Sequence, residues 1–193
     1  MEQMGHDRTA DLTNRPFHYH DMAEDAIELM HLLEIENAAV VGYSDGGIIA
    51  LEMAIHHPDR VAKLAVSGTN CRTDSYTAKN AERVRSFNPD AEPVTAAYAR
   101  LSPDGEDHWP IVLRRLQQMW SMEPNLTDEQ LQCIATPTLI VVDDSDIVTL
   151  EHAIGMFRAI PDAQLCVVPH ASHGIMLKEA VLAFLEEGET GQN

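Results

Sequence analysis

At 193 residues, with 45% hydrophobic and 23% charged residues, the chain suits a single soluble domain with room for an inserted lobe, and disorder is not indicated. A formal net charge of −18 argues against nucleic acid or an anionic membrane surface as a partner, since both call for clustered Lys and Arg. Cys71, Cys133 and Cys166 are widely spaced with no Cys-x-x-Cys, which suggests neither a disulfide framework nor a zinc site.

The cysteines therefore read as small apolar residues in a reducing compartment. The first thirty residues hold charges throughout and no apolar signal-like run, and no stretch approaches a membrane span. A cytoplasmic protein is expected.

Residues 1–19 are polar and without periodicity, and read as loop. Asp21 and Glu24 have capping-box spacing, and Met22, Ala26, Leu29, Met30 and Leu33 recur on one helical face, which predicts a helix ending near Glu34. The apolar run 38–41 predicts a strand covered on both faces. It leads into Gly42-Tyr43-Ser44-Asp45-Gly46 and then a helical pattern over 48–57. A second short strand is expected at 61–66, ending at Ser67-Gly68-Thr69. The helix, strand, helix, strand order implies right-handed crossovers and a parallel sheet.

From 70 to 125 the alternating apolar runs vanish, and helical pieces are expected near 78–85 and 111–120. Trp109, Trp120, Tyr98 and Met119 fall there, and either line an acyl pocket or form the lobe's own small core. Thr127 and Gln130 form a second capping box, with Leu126 and Leu131 as a hydrophobic staple. A strand at 138–142 precedes the acidic turn Asp143-Asp144-Ser145-Asp146, and Thr149 can cap a helix over 150–159. The last strand is expected at 164–168, a loop at 169–173, and a closing helix over 175–187.

Chemistry concentrates at the strand-to-helix turn around Ser44. Such a turn holds a serine in a strained conformation with its hydroxyl exposed, a nucleophile elbow, and a side chain at Gly42 or Gly46 is expected to crowd the crossing of strand and helix. A serine hydroxyl needs a base, and the base needs a group that fixes its tautomer. In a parallel sheet the carboxyl ends of the strands face one side, so the loops after 142 and 168 converge on Ser44. His173 is the expected base, with His170 as rival. Asp146 is the expected acid, ahead of Asp144 and Asp143. His56 and His57 read as surface residues at a helix end. His18 and His20 resemble a metal pair only in spacing, with no third ligand evident, so neither metal nor organic cofactor is expected.

These segments together resemble the α/β-hydrolase fold family, in particular esterase-like members with a small cap. The resemblance spans essentially the whole chain. It rests on Gly42-Tyr43-Ser44-Asp45-Gly46-Gly47, on Pro137 to Asp146, and on Val168-Pro169-His170-Ala171-Ser172-His173. Gln3-Met4-Gly5-His6-Asp7-Arg8-Thr9 is similar to the family's Gly-His-Gly-Arg-Ser/Thr loop, with Asp7 in place of the second glycine, and His170 stands where the family often has glycine.

The family's matching loop follows its fourth strand, so the resemblance implies an N-terminally truncated fold, with a core of 1–69 and 126–193 and a helical cap at 70–125. It also implies an oxyanion hole formed by the Asp45 amide and a second amide from a loop this sequence lacks. Losing one such donor costs about 2.7 to 4 kcal/mol, on the order of a hundred- to thousandfold in rate. Epoxide hydrolases and haloalkane dehalogenases of this fold are disfavoured, because the resemblance implies an aspartate in place of Ser44.

The expected activity is serine hydrolysis of a small carboxylic ester or related acyl compound by Ser44, His173 and Asp146. Lactone or carbon–carbon bond cleavage stays open. The alternative is a weak or inactive hydrolase-like module that binds a ligand or partner. Strand 38–41 would present a free apolar edge, so a homo-oligomer paired through it is expected.

Overall fold

The computed structural model describes residues 1–12, 15–76, 80–82, 86, 93–173 and 178–187. Its centre is a four-stranded sheet of β1 (Ala38–Tyr43), β2 (Val61–Ser67), β3 (Thr138–Ser145) and β4 (Ala163–Ser172), in that spatial order and all parallel. Helices α1 (Tyr19–Leu32), α2 (Asp45–His56), α6 (Leu150–Ala159) and α7 (Lys178–Glu186) flank it. Between β2 and β3 lie α3 (Pro93–Leu101), a short 3-10 turn at Glu106–His108, α4 (Trp109–Met122) and α5 (Asp128–Gln132). This is the expected parallel α/β architecture. Most of the helix expected at 78–85 lies outside the described residues.

The central strands are apolar on both faces because both faces are covered. Leu64 and Val66 of β2 and Ile140 and Val142 of β3 pack with α1, α2 and α6, whereas Ala65, Leu139 and Val141 pack with Val181 and Phe184 of α7. Strand β1 differs. It pairs only with β2 among the described residues, and its Ala39, Val41 and Tyr43 are exposed. Its apolar run thus lies at the sheet edge expected from the resemblance, and with one face exposed it is not covered on both sides as the apolar run alone had implied.

Several local expectations are altered by tertiary contacts. Helix α1 starts two residues early, and its N-cap His18 makes no side-chain capping bond. The Asp21 box does not form. Instead the Glu123 carboxylate, 104 positions away, accepts the Tyr19 N–H at 3.1 Å. Residues 1–12 form the expected loop, tied down at two points: Met4 is buried, and the fully buried Asp11 side chain is held by Arg115 and by His108 Nε2 at 2.8 Å. β3 and β4 run past their expected ends because Asp143 pairs with Val168 and Ser145 with Ser172, across a register shift.

The capping box of Thr127 and Gln130 and the Thr149 cap on α6 form as expected. Tyr98, Trp109 and Met119 are buried together with Met4, Phe17, Tyr19 and Ile48 in a second core, so the inserted helices close over the start of α2.

Candidate active site

Ser44 directly follows β1 and is the N-cap of α2, with φ 52° and ψ −122°. A positive φ costs a side-chain-bearing residue on the order of 1–3 kcal/mol and persists only where the surroundings impose it. Here they do. The Ser44 N–H donates to Ser67 O at 2.9 Å, and its carbonyl accepts from Gly47 N–H at 2.9 Å and from Thr69 Oγ1 at 3.3 Å. The crossing is tight at Gly42, where a Cβ would lie 2.4 Å from Gly46 O, and at Gly47, where one would lie 1.8 Å from Thr69 Oγ1. At Gly46 a Cβ would meet nothing within 4 Å. The expectation for Gly46 is thus corrected: Gly47 is the second crowded glycine, because it faces β2 while Gly46 faces solvent.

The β3 and β4 ends bring Asp146 and His173 together. His173 Nδ1 lies 2.7 Å from Asp146 Oδ1. The same oxygen accepts the Ile147 N–H at 2.6 Å and the Val148 N–H at 3.3 Å. Burial alone would raise the Asp146 pKa, but the His173 bond and charge, with the two amides, outweigh it and hold the carboxyl below its ordinary value. The ring of Tyr43, next to Ser44, lies 5.1 Å from the His173 ring, which puts the imidazole beside the elbow.

Asp144 accepts the His170 backbone N–H at 2.9 Å, which ties the ends of β3 and β4 together. Asp143 is buried, and burial together with the Asp146 charge raises its pKa. His170 and Asp7 both have positive φ, 56° and 46°, at the two positions where glycine was expected from the resemblance.

The alpha/beta hydrolase family model matches residues 3–186. The chain belongs to the alpha/beta hydrolase family. It is 28% identical over 165 residues to "Serine hydrolase BPHL" of Mus musculus, covering 82% of this chain and 56% of that protein. It is 29% identical over 213 residues to "Putative carbamate hydrolase RutD" of Caulobacter sp. (strain K31), covering 95% of this chain and 78% of the other. A meta-cleavage product hydrolase from Pseudomonas fluorescens IP01 superposes with a TM-score of 0.70 at 21% identity, over 96% of this chain and 78% of that one, a likeness of fold. The chain thus spans little more than half the length of its mouse relative.

Two features of this family member had no clear signal in the sequence. Gly68, φ 58°, sits against the dyad, where a Cβ would lie 3.0 Å from the His173 ring and 3.4 Å from Asp146 Oδ2. The absence of a side chain makes room for the imidazole. The Asp45 carboxylate accepts from Tyr19 Oη at 2.8 Å and Trp120 Nε1 at 2.7 Å. Burial raises its pKa against those two bonds. Asp45 is the first residue of α2, where backbone N–H groups lack intrahelical acceptors and can receive an oxyanion.

Cys71 and His152 form a buried sulfur–imidazole pair. Cys71 N–H donates to His152 Nε2 at 3.0 Å, with Cys71 Sγ 3.4 Å from the same nitrogen. Burial pushes the thiol up to about 11 and the imidazole down to about 4, so neither group carries charge near neutrality. No helix among the described residues is long and apolar enough to cross a membrane.

Proposed function

We propose that this chain is a serine hydrolase acting on a small carboxylic ester or a related acyl compound. The observation that carries the reading is the 2.7 Å contact of His173 with Asp146 beside the strained Ser44. His173 Nε2 takes the Ser44 hydroxyl proton as Oγ attacks the carbonyl, and Asp146 holds the Nδ1–H tautomer and offsets the imidazolium charge. The Asp45 amide donates to the oxyanion. The tetrahedral intermediate collapses, the leaving alcohol departs with the His173 proton, and water hydrolyses the acyl-enzyme by the same route reversed. A carbamate carbonyl admits the same attack, and the name of the Caulobacter relative supports including that class. No cofactor enters any step.

Hydrolysis of a short-chain p-nitrophenyl ester, abolished by Ser44→Ala, supports the enzyme reading. Equal rates for both proteins would refute it in favour of a non-catalytic binding module. The segment 70–125 serves as a cap, a role supported by its aromatic core packing on Ile48 of α2. A second copy covers the open β1 edge, a reading supported by the exposure of Val41 and Tyr43. A monodisperse monomer by sedimentation at micromolar concentration would overturn that part.

A further inference from the structure

About twelve residues along α2 from Ser44, roughly 18 Å at 1.5 Å per residue, the helix carries a cluster that the hydrolase chemistry does not use. Glu52 and His56 lie one turn apart on α2, and His20 reaches them from α1. Glu52 Oε2 is 3.2 Å from His56 Nε2 and 3.6 Å from His20 Nδ1. The three donor atoms lie within 4.8 Å of one another. The two imidazoles meet edge to face with centroids 4.6 Å apart.

We propose that His20, Glu52 and His56 form a binding site for a borderline divalent transition-metal ion of the Zn²⁺ type, clamping α1 to α2. Three observations support it. The first is spacing: two donors each about 2.1 Å from a tetrahedral zinc stand about 3.4 Å apart, between the two distances found.

The second is charge. Glu52 is 9% exposed, and its only ion-pair partners among the described residues are these two histidines. A buried carboxylate requires compensation, and imidazole is not a fixed cation. The third is the arrangement around the donors. His20 faces Glu52 with Nδ1, and its Nε2 lies 4.0 Å from Glu24 Oε1, which His57 Nε2 meets at 2.6 Å, so a further carboxylate charge stands near the ligating ring.

The side chains of His20 and His56 are 50% and 40% exposed, so an ion has an entry path and a free coordination position. With two nitrogens and one carboxylate, the donor set suits Zn²⁺, Ni²⁺ or Cu²⁺ and not Mg²⁺ or Ca²⁺. His18, the other half of the apparent sequence pair, is occupied by Glu123.

The test is calorimetric titration of chelator-treated protein with ZnCl₂ near neutral pH. One ion per chain is expected, with a dissociation constant below about 10 µM. At a hundredfold excess over that constant, Tm should rise by about 5–10 °C. His56→Ala and Glu52→Gln should each weaken binding at least about tenfold, while His31→Ala, an exposed histidine elsewhere on α1, should bind as the parent does. Because Glu52 is buried, His20→Ala supplies a surface variant that decides the matter if Glu52→Gln does not fold. Absence of saturable binding, or parental affinity in His56→Ala and His20→Ala, overturns the site. These readouts are independent of ester hydrolysis.

Discussion

Adjacent glycines at the start of α2 should respond oppositely to the same substitution. Gly46→Ala adds a methyl in open space within a helix and should stabilise the protein by about 0.5–1 kcal/mol. Gly47→Ala places its Cβ 1.8 Å from Thr69 Oγ1 and 2.9 Å from Thr69 Cβ. Ordinary contact needs about 3.5 Å, so Thr69 or the helix must move by more than 1.5 Å or so. Thr69 is buried and bonds to Ser44 O and Ser67 O, so it cannot move without releasing the elbow.

Overpacking costs about 1–3 kcal/mol and each lost hydrogen bond about 1, against a helix-propensity gain of about 1. The net expectation for Gly47→Ala is a loss of about 1–3 kcal/mol. A displacement of Ser44 near 1 Å should also lower kcat/KM about a hundredfold. Urea denaturation and p-nitrophenyl acetate kinetics on both variants read the two effects separately. If Gly47→Ala matched Gly46→Ala in both assays, the close approach of α2 to Thr69 would be wrong. Adding Thr69→Ala to Gly47→Ala removes the nearest atom and should recover part of the stability.

Other variants probe the remaining features. Asp146→Asn should keep the fold but leave His173 in the wrong tautomer, lowering kcat by up to about 10⁴ with little change in KM for the same ester. His152, ordinarily near 6.5, is held down to about 4, mainly by burial, so the unfolded chain binds the proton more readily. Its contribution is complete above pH 6.5 and is lost as pH falls towards 4, on the order of 3 kcal/mol in all; His152→Gln should flatten that limb of a urea-melt series. Asp11→Ala leaves the partly buried Arg115 and His108 without their carboxylate and should cost about 1–3 kcal/mol by denaturant titration. His170→Gly relieves a positive φ at an exposed position and should raise stability by about 0.5–1 kcal/mol, measured the same way.

What could be read from the sequence was whatever is governed by near neighbours. The box of Thr127 with Gln130, the Thr149 cap and the span of α6 depend on residues within four positions. The order of Ser44, Asp146 and His173 was readable because a parallel sheet gathers its carboxyl ends on one side. Where distant groups decide, local pattern fails. Glu123 replaces the expected Asp21 box on α1, and pairing with β4 extends β3 through three of the residues read as an acidic turn. Nothing in Gly46-Gly47 says which glycine faces β2. His20 likewise had no visible third ligand, since Glu52 and His56 lie more than thirty residues later.

The bond from Trp120 Nε1 to the Asp45 carboxylate ties a natural fluorophore to the residue next to Ser44, the proposed nucleophile. Indole emission responds to the state of its N–H partner, so light from Trp120 should follow any rearrangement of the elbow during a turnover. With Trp109→Phe the chain would keep a single indole, excited selectively near the red edge of its absorption. Rapid mixing with ester should then give an optical transient in step with the nitrophenol burst, timing acylation without a label. A flat emission trace during a clear burst would mean that the Asp45 anchor stays rigid while its neighbour reacts.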